Sequence, residues 1–306
     1  MSIRFDGQVA IVTGAGNGLG RSHAIALAAR GAKVVVNDLG GARDGAGSSS
    51  AAAKSVVDEI KAAGGEAIAH GANVANYSEV EDMVQQALNA WGRVDILINN
   101  AGILRDKSFT KMSIDDFKLV MDVHLMGSVN CTKAVWDLMK EQQYGRIVMT
   151  TSSSGLYGNF GQTNYGAAKM AVVGLMNTLG LEGAKYNVRI NALAPTAATR
   201  MTEDIMPEEI LAMLVPEAVT AGALILCHEG APSRHILCAG GGGYASSKIF
   251  ETEGVYLEPA QQTPEAVAAH WDEICNTDKQ APLDNGAKQS EKFLLKAQAF
   301  LAQDKA

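Results

Sequence analysis

The stretch TGAGNGLG, Thr13 to Gly20, follows the apolar run Val9–Thr13 and leads directly into Arg21–Arg30, whose apolar spacing is helical. Strand, glycine-rich turn and helix in that order form a cradle. Gly14, Gly18 and Gly20 permit a tight turn and let a pyrophosphate approach backbone amides, with Leu19 among them. The partial positive charge of the helix N-terminus suits such an anion. An isolated glycine-rich turn would carry little information, but here it opens an alternating fold, which selects dinucleotide binding. The second apolar run ends at Asp38, about 20 residues beyond the glycines, where a carboxylate can accept hydrogen bonds from both adenosine ribose hydroxyls. It would repel a 2′-phosphate, so NAD is expected over NADP. A solvated strand-end aspartate is the alternative reading, and Arg21, Arg43 or Lys54 could soften the preference.

Outward from this stretch, short apolar runs alternate with segments of helical period as far as Ala194, the pattern of strand-helix units in a parallel sheet. The strand candidates are Val9–Thr13, Lys33–Asp38, Ala67–Asn73, Val94–Asn99, Arg146–Thr151 and Val188–Ala194, apolar on both faces as a doubly covered sheet requires. Helices are expected near Leu19, Ala51, Ser78, Ser113 and Tyr165. Ser78 with Glu81, and Ser113 with Asp116, have capping spacing. The linker-like segment Gly40–Ser50, GGARDGAGSSS, lies inside the repeating pattern and reads as a surface loop. After about Pro207, helical segments lead to a short strand candidate, Arg234–Cys238, and the run Gly240–Gly243. Residues 1–240 are expected to form the NAD-binding catalytic domain. Residues 241–306 would form an appendage with helices over Thr263–Ile274 and Ala287–Ala302, opened by Thr263 as cap and Pro264 in the first turn.

Composition narrows the function classes. In 306 residues, 26 Lys and Arg stand against 33 Asp and Glu, and the net charge of -7 offers no general attraction to nucleic acid or anionic lipid. Cys131, Cys227, Cys238 and Cys275 are widely spaced, which argues against structural zinc or a disulfide framework and fits a reducing compartment. MSIRFDG at Met1–Gly7 lacks an apolar signal core, no uncharged apolar run approaches the roughly 18–20 residues of a spanning helix, and QDKA at Gln303–Ala306 is no familiar targeting signal. A cytoplasmic protein is expected, with no metal.

Tyr165 and Lys169 are four residues apart on one helix face, about 5–6 Å between Cβ atoms. A tyrosine with a pKa of about 10 is a poor base at neutral pH, and lowering it by ~3 units needs about 4 kcal/mol of phenolate stabilisation. Lys169 and a positive nicotinamide ring could supply it. Such a pair alone usually marks a solvated helix face. Here, however, Arg146–Thr151 ends in Ser152, Ser153 and Ser154, which place a hydroxyl at the carboxyl edge of the sheet.

Together TGAGNGLG, the tetrapeptide Asn99 to Gly102 (NNAG), Ser152 and Tyr165-x-x-x-Lys169 resemble the short-chain dehydrogenase/reductase family in identity, order and spacing. The resemblance implies an α/β fold: a Rossmann-type three-layer αβα domain with a seven-stranded parallel sheet, Arg234–Cys238 being the seventh strand. It implies Ser152 as the residue orienting the substrate oxygen, Tyr165 as acid/base and Lys169 on the nicotinamide ribose. By the same matching, Asn100, Ala101 and Gly102 lie along the cofactor, Asn73 and Val74 flank adenine, and Pro195, Thr196 and Thr199 run near the nicotinamide amide. Two positions depart from the common pattern. His124, in VHLMGS, stands where many members have asparagine, and Thr196 stands where many have glycine. His124 is either a participant that anchors water or a carbonyl, or a core histidine satisfied by one backbone oxygen.

Further segments narrow the resemblance. RFDG at Arg4–Gly7, NDLGG at Asn37–Gly41, NNAGILRDKSF at Asn99–Phe109, YGNFGQTNY at Tyr157–Tyr165, RMTEDIMPE at Arg200–Glu208 and TPEAV at Thr263–Val267 are similar to the dehydrogenase unit of multifunctional enzyme type 2, also called type-4 17β-hydroxysteroid dehydrogenase. That resemblance spans about Arg4 to Ile274. It implies NAD-dependent oxidation of (3R)-hydroxyacyl-CoA to 3-ketoacyl-CoA in β-oxidation of fatty or steroid side chains. It also implies a homodimer, with an appendage packed on the substrate cleft and dimer interface; with the hydratase and carrier domains missing here, a free-standing dehydrogenase is expected. Oxidation of a free secondary alcohol such as a 17β-hydroxysteroid is the alternative enzyme reading, because the catalytic residues do not read beyond the carbinol. A non-catalytic NAD-binding protein is the reading from another class. Leu104, Phe109, Leu156, Phe160, Met201, Ile205, Met206 and Met213 line a cleft for an apolar substrate or are plain core.

Overall fold

The computed structural model describes residues 2–197 and 207–303. The chain divides into two compact units, the first ending at Ser246 and the second beginning at Ser247.

In the first unit, β1 (Val9–Thr13), β2 (Lys33–Asn37), β3 (Glu66–His70), β4 (Ile96–Asn99), β5 (Gly145–Thr150), β6 (Val188–Thr196) and β7 (Ile236–Gly240) pair in parallel. β8 (Gly243–Ser247) extends the sheet to eight strands in the order β3-β2-β1-β4-β5-β6-β7-β8. The expected seven parallel strands are all present, each within a few residues of its sequence limits, and β8 is an addition. Its cause is local: Gly241 at φ 55° and Gly242 at φ 80° both lie in the left-handed region. Two such residues make the tight turn that reverses a strand into a hairpin, so the glycine run turns the chain back along the sheet edge.

Alternate residues of each strand face opposite layers. Ala10, Val12, Val34, Val36, Ile96 and Ile98 pack with Leu27 of α1 (Gly18–Ala28), Val56 and Ile60 of α2 (Ala51–Ala62), and Val219 and Leu224 of Pro216–Cys227. Val9, Ile11, Val35, Leu97, Ile147 and Met149 pack with Met83 of α3 (Tyr77–Trp91), Val135 and Met139 of Gly127–Gln142, and Val172 and Met176 of Thr163–Gly183. Apolar residues on both strand faces are therefore what three layers demand.

Between β4 and β5, α4 (Ile114–Met121) passes through a π-helical turn, Asp122–Met126, into α5 (Gly127–Gln142). α6 (Ser153–Tyr157) and α7 (Thr163–Gly183) follow β5, and α8 (Glu208–Met213) and α9 (Pro216–Cys227) precede β7. Ser113 caps α4 as its spacing predicts, accepting the Asp116 amide at 3.0 Å. The cap of α3 is Asn76, which accepts the Ser78 amide at 3.2 Å, so the expected cap Ser78 lies inside the helix. Asparagine outcompetes it because its side-chain oxygen reaches the same orphan donors two residues earlier.

Among the described residues, one helical stretch, Glu209–Cys227, is long and apolar enough to cross a membrane by length and composition. It is broken between α8 and α9 at Leu214–Val215, carries Glu217, and buries Val219, Ala223, Leu224 and Leu226 of α9 in the core.

The second unit contains α10 (Pro264–Ala269), α11 (Trp271–Ile274) and α12 (Gly286–Gln303). Thr263 caps α10 through the Ala266 amide at 3.2 Å, with Pro264 in the first turn, as the sequence predicts.

Candidate active site

The sheet order reverses between β1 and β4, and a crevice opens at their carboxyl ends where the flanking connections diverge to opposite sides. The glycine stretch follows β1 at this point. Gly14 and Gly18 have φ of 62° and 51°. A Cβ on Gly14 would stand 2.8 Å from Ala101 Cα, and one on Gly16 would stand 2.7 Å from Asp38 Oδ2. At Gly20 it would strike the Gly14 carbonyl oxygen. Asn17 starts α1 without a side-chain cap bond, so no side chain occupies the helix N-terminus from that position. These features fit a dinucleotide: the cradle exists because side chains are excluded from it.

Asp38 lies just past β2. Its Oδ2 accepts the Gly16 amide at 2.7 Å and its Oδ1 the Gly40 amide at 2.6 Å, so the carboxylate ties the glycine turn to the start of the Gly40–Ser50 loop. An ionised carboxylate has about four lone-pair sites, which leaves capacity for ribose hydroxyls. The loop itself reaches the connection after β4: Arg43 accepts the Leu104 amide at 3.0 Å through its carbonyl, and Asp44 accepts Arg105 Nε at 2.7 Å.

Asn100 joins β4 to the cradle, its Nδ2 donating to the Thr13 and Gly14 carbonyls at 2.9 and 3.1 Å. The Thr13 hydroxyl accepts the Asn100 and Ala101 amides at 2.9 and 3.0 Å. Thr13 was legible as the end of the first strand and the start of the glycine stretch, but this role was not, because it depends on β4 arriving beside β1. Asn73 and Val74 follow β3: Asn73 donates its amide to Glu79 at 2.8 Å, and buried Val74 offers its carbonyl to Asn130 at 2.9 Å. Pro195 and Thr196 end β6, opposite Ala239 and Gly240. Thr199, with Met201, Ile205 and Met206, lies outside the described residues.

Across the crevice, Ser152 caps α6, its Oγ accepting the Ser154 amide at 3.2 Å. Tyr165 is half-buried near the start of α7. Burial raises its phenol above the ordinary value, the Ser152 hydroxyl opposes that rise, and the Asp106 carboxylate adds to it. Buried Lys169 donates from Nζ to the Thr150 carbonyl at 2.6 Å and lies 5.5 Å from the Tyr165 ring centroid. Burial pushes its ammonium down to about 7.

His124 occupies the π-helical turn, an irregularity that aims a side chain out of the regular helical ladder. Its ring meets Tyr165 edge to face at 5.1 Å between centroids. Nε2 lies 2.8 Å from the Ile103 carbonyl oxygen and 3.1 Å from the Ile103 amide nitrogen, while buried Nδ1 has no partner among the described residues. Burial holds the imidazole well below its usual pKa, the Lys169 charge adds to this, and the Ile103 hydrogen bond opposes it. A neutral ring results, and a Cβ on Gly102 would collide with it. Gly102 is thus glycine for the sake of His124.

The structure therefore brings Ser152, Tyr165, Lys169 and His124 together, opposite Gly14, Gly18, Gly20, Asp38 and Asn100. Sequence reasoning missed Gln162 and Asp106, which bond each other at 2.6 Å beside this group. The only signal for them was their place in YGNFGQTNY and NNAGILRDKSF.

A family profile described as short chain dehydrogenase matches residues 8–210. Peroxisomal multifunctional enzyme type 2 of Mus musculus is 49% identical over 280 residues, covering 90% of this chain and 37% of that protein. The chain thus spans little more than a third of the length of that relative. A short-chain type dehydrogenase/reductase of Mycobacterium tuberculosis is 50% identical over 268 residues, covering 87% of this chain and 93% of the relative. Among solved structures, full-length peroxisomal multifunctional enzyme type 2 of Drosophila melanogaster superposes with a TM-score of 0.80 at 41% identity, covering 95% of this chain and 49% of that one. A 7α-hydroxysteroid dehydrogenase complexed with NADH and 7-oxo glycochenodeoxycholic acid superposes with a TM-score of 0.70 at 32% identity, covering 78% and 95%.

Proposed function

Because the chain belongs to the short-chain dehydrogenase family, we propose that it oxidises a (3R)-hydroxyacyl-CoA to the 3-ketoacyl-CoA, with NAD, in β-oxidation of fatty or steroid side chains. The observation that carries this reading is the convergence of Ser152, Tyr165 and Lys169 at the carboxyl edge of β5, across the crevice from a cradle that a side chain would fill. A bound nicotinamide supplies the hydride acceptor for the C3–H bond. Tyr165 as phenolate takes the 3-hydroxyl proton while the C3–O bond becomes a carbonyl, and Ser152 donates a hydrogen bond to the same oxygen. Lys169 holds the nicotinamide ribose, and its cation together with the cofactor's positive ring counters the burial that raises the phenol. His124, held neutral, packs the Tyr165 ring and fixes Ile103 beside the cofactor. Asn73 and Val74 border the adenine, and Thr196 and Thr199 border the nicotinamide amide.

Asp38 supports NAD over NADP, since a 2′-phosphate would meet a carboxylate already seated on two backbone amides. The acyl-CoA substrate follows the multifunctional relatives. A second reading, oxidation of a free hydroxysteroid, is favoured by the likeness to the 7α-hydroxysteroid dehydrogenase. A homodimer and a cytosol-like compartment complete the proposal. The compartment differs from the peroxisome in the multifunctional relatives' names and rests on the four free cysteines, of which Cys131 and Cys227 are buried with thiols pushed up to about 12.

The test is NAD and NADP reduction at 340 nm with (3R)- and (3S)-hydroxyacyl-CoA of several chain types and with free hydroxysteroids. We expect turnover of (3R)-thioesters with NAD. Turnover of free hydroxysteroids alone transfers the assignment to the second reading, and cofactor binding with no turnover at all leaves a non-catalytic NAD-binding protein.

A further inference from the structure

Two loops meet beside the catalytic tyrosine. The connection after β4 docks on the segment before α7 through Lys107 N to Gly161 O at 2.9 Å and Asn164 Nδ2 to Arg105 O at 3.2 Å. Asn164 is fully buried and accepts the Tyr165 amide at 2.7 Å, which fixes this seam to the first turn of α7. At the seam, Gln162 Nε2 donates to Asp106 Oδ2 at 2.6 Å. Gln162 Oε1 accepts the Ser154 hydroxyl at 2.7 Å and Asn159 Nδ2 at 3.2 Å. The Ser154 amide in turn donates to Ser152 Oγ at 3.2 Å.

The donor and acceptor roles along this chain follow from chemistry. An ionised carboxylate only accepts, so Asp106 draws the Gln162 amide nitrogen and leaves the amide oxygen facing Ser154. That oxygen commits the Ser154 proton and holds the first turn of α6 in place. The Ser154 amide then occupies one lone pair of Ser152 Oγ, so the Ser152 proton is left for the oxygen in the crevice.

We propose that Gln162, oriented by Asp106, is the positioning residue that aims the Ser152 hydroxyl proton at the reacting oxygen. It acts through Ser154 and touches no reactant. Asp106 has a second consequence, because its negative charge works against the Tyr165 phenolate. The other titratable groups near that ring are Lys169 on α7 and His124 on the π-helical turn. The charges of Arg105 and Lys107 are committed to Asp116 at 3.0 and 3.2 Å. The proposal rests on the alcohol-oxidation reading.

The experiment compares Gln162→Leu, which keeps bulk and removes the amide, with Ser154→Ala, which keeps the backbone cap and cuts the relay. Each is expected to lower kcat about tenfold with the KM for NAD unchanged, and the double variant should lose no more than either one. Asp106→Asn can present either end of its amide to Gln162, so it is expected to lower kcat less and to move the pH midpoint of kcat/KM downward. Unchanged kcat in Gln162→Leu, or additive losses in the double variant, overturns the proposal. A second readout, titration of Tyr165 by NMR on ζ-13C-tyrosine-labelled protein with NAD, should show a lower midpoint in Asp106→Asn. An unmoved midpoint removes the charge effect of Asp106 on Tyr165, leaving its hydrogen bond to Gln162 to be judged by kcat. Absence of turnover in the wild type strikes the function reading instead, and is distinguishable because that titration does not require turnover.

Discussion

The two halves of the crevice are built on different principles. The half proposed to hold the cofactor, Thr13–Gly20 with Asp38 and Asn100, is made of backbone: amides, carbonyls and places where a Cβ has no room. The half proposed to carry the chemistry, Ser152, Tyr165, Lys169 and His124, is made of side chains, and burial sets the protonation of the last three. On the proposed function, the first half works by shape and the second by electrostatics.

The largest effect should separate the halves. Tyr165→Phe keeps the ring against His124 and removes the ionisable hydroxyl, so kcat is expected to fall by about 10³-fold while NAD affinity stays within about threefold, read by turnover and by calorimetric titration. Wild-type turnover in that variant would remove Tyr165 from the chemistry. Next comes Gly20→Ala, whose methyl would strike the Gly14 carbonyl and stand 2.5 Å from Asn100 Nδ2. Its NAD affinity should drop by about 10²-fold and its Tm should fall, both from the same steric cause. Tight NAD binding in this variant would mean that the cradle does not receive the pyrophosphate.

A further effect concerns stability beneath the glycine cradle and touches no reactant. His23 on α1 is fully buried, with Nδ1 2.7 Å from the Thr220 hydroxyl, which itself donates to Ser22 Oγ at 2.7 Å. Its Nε2 is buried without a partner among the described residues, and burial pushes the imidazole down to about 4. Between about 6.5 and about 4 the unfolded chain binds a proton that the folded one refuses. Stability is therefore whole above this window and is lost as pH falls through it, by about 3 kcal/mol. A His23→Gln variant should show a flatter fall of Tm with acid. Some slope should persist, because His124 is depressed in the same direction. An unchanged slope would mean that His23 does not titrate there.

The halves also differed in how far the sequence revealed them. Gly14, Gly18, Gly20 and Asp38 were legible because backbone geometry constrains residue type locally: only glycine fits the turn, and a strand end places the carboxylate. Tyr165 and Lys169 were legible through helical spacing. The π-helical turn under His124 and the hairpin that adds β8 were not anticipated, since one depends on packing against Ile103 and Tyr165, and the other on glycine torsions that either sign of φ would allow. Asp106 and Gln162, 56 positions apart, share no local pattern, and their bond exists only because two loops dock.

The order of elements, the three-layer arrangement, the cradle and the Ser-Tyr-Lys set were decided by the sequence itself, because each rests on periodicity or on a local steric demand. Protonation was decided by the tertiary structure. A lysine brought to about 7, a neutral His124 and a phenol raised by burial are consequences of removing water from around groups that are distant in the chain. Desolvation has no sequence signature, since it depends on which elements close over a side chain.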